Sequence, residues 1–148
     1  MTAVQSLQET LAAEHAAVYV FGVLGGRAAA LPAPTLRSAL GTAYDVHLAR
    51  RDQLQAMVTA AGAVPVPAEP AYALTRDLVT APQLAGVALR VERTCLTTYG
   101  ALVAAGVGAT RRWAVDALVE TAVSELGFGG TPEPLPGLDT AQPTTPTP

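Results

Sequence analysis

Apolar residues recur along most of the chain at intervals of three and four, the period of an amphipathic helix. Val4, Leu7, Leu11, Val18 and Phe21 form one such stripe, opened by Thr2 with Gln5, a capping-box pair. This predicts a first helix over about residues 3–26, ending at the Gly25-Gly26 pair. Pro34 suits the first turn of a second helix, 34–62, with Leu36, Leu40, Leu54 and Val58 on one face. Residues 63–79 hold Pro65, Pro67 and Pro70 and show no sustained period, so they read as a linker. Thr80 and Gln83 repeat the cap signature before a third helix, 81–106, carrying Leu84, Ala88, Val91, Cys95 and Leu102. Thr110 caps a fourth helix, 110–127, whose core stripe is read as Val115, Val119, Ala122 and Leu126. Residues 129–148 turn to Gly, Pro and Thr and are expected to form a disordered tail.

Four amphipathic helices of this length predict an all-α four-helix bundle over residues 1–128. Short turns join the first helix to the second and the third to the fourth, making two antiparallel hairpins. The linker between the hairpins reaches roughly 56 Å when extended. The second helix is roughly 42 Å long, so the linker can serve as a long crossover spanning the whole bundle.

Composition agrees with helices and narrows the chemistry. Thirty of the 148 residues are alanine, half are hydrophobic and 14% are charged. A net charge of -3 argues against a nucleic-acid binder, which needs a basic stripe. One cysteine rules out an intrachain disulfide framework and a cysteine-cluster metal site. Lysine, isoleucine and asparagine are absent, a bias toward GC-rich codons that suggests a bacterial source of high GC content. The N-terminus lacks a basic region ahead of an apolar stretch, and the longest uncharged run, Thr94 to Thr110, is interrupted by glycine and threonine. The expectation is a cytoplasmic protein with no membrane partner.

The informative residues are polar ones where the stripes call for apolar side chains. On the first helix this is Glu14; on the second, Tyr44, His47 and Arg51; on the third, Glu92 and Tyr99. Trp113, Asp116 and Glu120 share a face of the fourth. Ionisable groups near the middle of every helix are too costly to bury singly, so they must pair with one another or hold a metal.

The segments LQETLAAEHAAVYVFGVLGGR and AYDVHLARRDQLQAMVTAAG, with this helix pattern and crossover, resemble an uncharacterised ferritin-like domain family of high-GC (actinobacterial) bacteria. The resemblance covers about residues 5–128 and implies a ferritin-like four-helix bundle. Members of the wider superfamily hold two irons with a glutamate from each of two helices and a Glu-x-x-His pair from each of the others. Glu14 and Glu92 match the two single glutamates. Tyr44-x-x-His47 keeps the histidine but has tyrosine in place of glutamate, and Glu120-x-x-Val123 keeps the glutamate but loses the histidine. Arg51 would add a positive charge to such a site.

The favoured expectation is therefore a buried polar network of Glu14, Tyr44, His47, Arg51 and Glu92, without cofactor or catalytic residue, in a structural or interaction module. The alternative is a divergent metal-binding protein or oxidoreductase, with iron or manganese on Glu14, His47, Glu92 and Glu120. His15 is expected at a flank or interface, and Cys95 as a buried inert thiol. Arg111 and Arg112, unfavourable beside the helix dipole, read either as a solvated pair or as contacts to the tail, Glu92 or a partner. Alanine-rich faces with few charges suggest a homo-oligomer, taken as a dimer. No nucleophile triad, phosphate loop, HExxH or nucleotide fingerprint is present.

Overall fold

The computed structural model describes residues 1–136. Its helices are α1 (Ala3–Ala28), α2 (Pro34–Ala60), α3 (Ala81–Ala105) and α4 (Gly108–Ser124), followed by a 3-10 turn over Glu125–Phe128. Thr2 and Thr80 close full capping boxes with Gln5 and Gln83, which fixes where α1 and α3 begin. Pro34 occupies the first turn of α2. The helix α1 runs through the glycine pair to Ala28, and α4 starts at Gly108 rather than Thr110. Of the tail expected over 129–148, residues 129–136 follow the 3-10 turn without helix, and 137–148 lie outside the described residues.

The four helices form two antiparallel hairpins. The α3–α4 turn is only Gly106 and Val107, and a Cβ on Gly106 would stand 2.7 Å from the Leu102 carbonyl oxygen. Only glycine allows that approach. The connection 61–80 climbs the outside of α1. Near its start, the Gln8 Nε2 donates to the Val64 carbonyl at 2.6 Å, and the Val66 N–H donates to Gln8 Oε1 at 2.8 Å. The buried His15 places Nε2 3.0 Å from the Val66 carbonyl. Higher up, Tyr19 packs on Tyr72 with ring centroids 5.4 Å apart, and Arg27 Nη1 donates to the Thr75 carbonyl at 3.2 Å. The connection therefore crosses the full length of the bundle, and α3 begins at the end where α2 began.

The core has two apolar clusters. One contains Phe21, Leu24, Leu40, Leu84, Ala88 and Phe128. The other contains Leu7, Leu11, Leu54, Val58, Leu102 and Ala114. A belt of polar side chains crosses the bundle between them. On α4 the buried residues are Ala114, Ala117 and Thr121. Val115, Val119, Val123 and Leu126 point outward, correcting the sequence reading that put Val115, Val119 and Leu126 in the core. Alanine and threonine on the inner face let α4 lie close to α3, which leaves the larger valines no room inside.

Candidate functional site

The polar belt is assembled from all four helices. Glu14, His47 and Glu92 each occupy mid-helix positions and are almost completely buried. The His47 ring stacks on Phe21, with centroids 5.0 Å apart and planes 12° from parallel. That packing aims both ring nitrogens at carboxylates. Nδ1 lies 2.7 Å from Glu14 Oε2, and Nε2 lies 3.3 Å from Glu92 Oε2. An ionised carboxylate only accepts, so between two ionised glutamates both nitrogens donate and the ring is an imidazolium. Burial alone would discharge it, but the Cys95 thiol and the carboxylates of Glu14 and Glu92 overcome that and push its pKa from 6.5 to about 12.

The second oxygen of each carboxylate is held by a hydroxyl. Tyr99 donates to Glu14 Oε1, and Ser124 Oγ donates to Glu92 Oε1 at 2.7 Å. Burial, reinforced by Cys95 and Glu14, holds the Tyr99 phenol well above its ordinary range, so its hydroxyl stays a donor. Behind Tyr99 sits Arg50, 5% exposed. Its Nη1 donates to the Tyr99 hydroxyl at 3.2 Å and to Thr121 Oγ1 at 2.6 Å, and its Nη2 donates to Glu120 Oε2 at 2.8 Å. Cys95 completes the belt. Its sulfur, a Glu14 oxygen and a His47 nitrogen all lie within 4.8 Å of one another. Burial and the Glu14 charge push the Cys95 thiol up to about 11, against the pull of His47, so it is protonated at neutral pH.

Of the network read from the sequence, Glu14, His47 and Glu92 come together. Arg51 does not join them: it lies toward the surface and binds the adjacent Asp52 at 2.7 Å. The arginine turned inward is Arg50, one residue earlier and so about 100° round the helix. Tyr44 makes no hydrogen bond in the belt and packs its ring against Gly22, with its edge 3.5 Å from where a Cβ would stand. The tyrosine that does join is Tyr99, from α3. Glu120 has a 69% exposed side chain at the mouth of the α2–α4 seam, tied to Arg50. Arg111 donates to the Val103 carbonyl at 3.0 Å and so braces the α3–α4 turn.

The seam between α2 and α4 is the loosest in the bundle. A cavity of about 300 Å³ opens there, lined by Val46, His47, Arg50, Glu92, Thr121 and Ser124 among others. A neighbouring recess is bounded by Gln53, Trp113, Asp116 and Glu120, where Trp113 donates to Gln53 Oε1 at 2.6 Å. Chemically, the arrangement is a buried ion cluster with one side approached by a cavity.

A model of the domain of unknown function DUF4439 matches residues 6–140, and the chain belongs to that family. Among solved structures, it is similar to the conserved hypothetical protein rv2844 from Mycobacterium tuberculosis, with a TM-score of 0.76 and 30% identity. That match covers 86% of this chain and 88% of the other. No curated protein matches the sequence. Among the described residues, no helix is long and apolar enough to cross a membrane.

Proposed function

We propose that this DUF4439 protein is a ferritin-like bundle in which a closed ion-pair network stands where a dinuclear iron centre would be, and that it serves as a structural or interaction module rather than an iron oxidoreductase. The observation that carries this reading is His47, held through both ring nitrogens between Glu14 and Glu92. The donor set does not fit two irons. The belt contributes two buried carboxylates and one histidine, while Glu120 faces out and Arg50 brings a fixed positive charge into the same network. Such a network costs desolvation but fixes the register of the helices it joins.

The interaction half of the proposal rests on α4. Val115, Val119, Val123 and Leu126 are 41–64% exposed and follow one another along one outer face. A continuous apolar stripe of this kind marks an association surface, and self-association as a dimer is the simplest use of it.

Anaerobic incubation with ferrous iron, followed by elemental analysis and a thermal melt, tests the reading. The expected result is no pair of irons per chain and an unchanged melting temperature. Uptake of two irons, lost in Glu14→Gln, would overturn it.

A further inference from the structure

Three ligand types of different softness converge in the belt: a carboxylate, an imidazole and a thiol. We propose that Glu14, His47 and Cys95 form a buried site for one soft divalent cation, zinc above all, with Glu92 positioning the histidine from its far side. This rests on the belt as described under the proposed function and adds a ligand to it.

Geometry comes first. The three donor atoms already lie within 4.8 Å of one another, and all three residues are buried. A tetrahedral zinc with bonds near 2.0–2.3 Å needs its donors roughly 3.3–3.8 Å apart. The His47 Nδ1 to Glu14 Oε2 separation of 2.7 Å must therefore widen by roughly 0.6 Å, and any separation near the 4.8 Å limit must close by roughly 1 Å. The outer support is already built. Nε2 faces Glu92 Oε2, the carboxylate–histidine arrangement that sets the tautomer of a metal-bound imidazole. Glu14 and Glu92 are in turn oriented by the hydroxyls of Tyr99 and Ser124. The cavity in the α2–α4 seam is lined by His47 and Glu92 but not by Glu14 or Cys95.

Charge balance supports the exchange. Without metal, the imidazolium is flanked by the carboxylates of Glu14 and Glu92, and the Arg50 guanidinium is paired with Glu120. When a divalent cation enters, the Nδ1 proton and the thiol proton leave to water. Two positive charges arrive, one is lost from the ring and one negative charge appears on sulfur, so the net charge of the cluster is unchanged. Thiolate with imidazole selects zinc over magnesium or calcium, which prefer all-oxygen shells. With three protein ligands, the fourth position is left to water.

The test is titration of the chelator-treated full chain with zinc, and separately with cobalt(II) as a spectroscopic probe. The expected result is one zinc per chain, a melting temperature raised by several degrees, and a thiolate-to-cobalt charge-transfer band in the near ultraviolet. Cys95→Ser and Cys95→Ala should both lose the band and the zinc-dependent rise. Their metal-free melting temperatures confirm that they fold. Glu92→Gln should keep the band and weaken zinc affinity by about 10–100-fold. Absence of zinc binding in the wild type, binding undiminished in both cysteine variants, or a cobalt spectrum without the thiolate band would each overturn the site. None of these bears on the iron experiment above: failure to bind zinc leaves the ion-pair network standing, whereas uptake of two irons would sink the network reading whatever zinc does.

Discussion

An imidazolium buried between two carboxylates ties the stability of the whole chain to a single proton. In the unfolded chain His47 loses that proton near its ordinary pKa of 6.5, whereas in the fold it holds it up to about 12. Its contribution is therefore fully present below about pH 6.5 and is lost as pH rises toward the folded value. Cys95, raised from 9.0 to about 11, has the same sign over a higher window. With chelator present, thermal melts between about pH 6 and 10 should show stability falling steadily, and His47→Gln should flatten the lower part of that slope. A wild-type stability independent of pH over this range would refute the imidazolium. The arginines give a sharper contrast. Arg50→Ala removes hydrogen bonds to Tyr99, Thr121 and Glu120 and should cost roughly 2–4 kcal/mol in denaturant unfolding. Arg51→Ala breaks only a surface pair with its neighbour and should stay within about 0.5 kcal/mol. The sequence could mark Glu14, His47 and Glu92 because each interrupts an apolar stripe. It could not choose between Arg50 and Arg51, since positions three and four after His47 both face its side of the helix. Cys95 reads as a buried thiol and is one, but its nearness to His47 was hidden because that histidine comes from another helix, 48 positions earlier in the chain.

At the scale of a helix, the capped and proline-marked starts of α1, α2 and α3 were readable because those signals are local. The facing of α4 was not. Its valines form the stronger apolar stripe, yet the side turned inward carries Ala114, Ala117 and Thr121. Periodicity records which residues share a face, while the choice of face is made by how closely α3 allows α4 to approach. The double variant Val119→Glu/Val123→Glu distinguishes the two facings. With both valines exposed, as they are at 54% and 64%, the variant should still fold and melt cooperatively, below wild type only by what the lost association contributed. Were they core residues, burying two carboxylates would unfold the chain. Sedimentation of the same variant reads the association surface: the expected shift is from dimer to monomer, and a wild type that is already monomeric would remove the dimer proposal.

At the scale of the molecule, the chain length between the hairpins decides the topology. The sequence disclosed a connection long enough to cross the bundle, because reach follows from residue count alone. Its route along α1 was hidden, being set by Gln8, His15, Tyr19 and Arg27, each of which reads singly as an ordinary surface residue. Length and contacts can be separated. Deleting residues 64–75 leaves eight between α2 and α3, reaching roughly 30 Å, while α2 itself is about 40 Å long. The shortened chain cannot return α3 to its starting end, so it should lose cooperative melting or exchange its α3–α4 hairpin with another chain. Replacing the same twelve residues with a flexible Gly/Ser sequence restores the reach but removes the side-chain packing of Val66, Tyr72 and Leu74 that holds this backbone against its hydrogen-bond partners on α1. That variant should fold to the native topology with stability reduced by a few kcal/mol, as read by circular dichroism melts and light scattering. If the deletion variant instead folds as a monomer of wild-type stability, the connection does not need to cross the bundle, and the hairpins are placed by their packing alone.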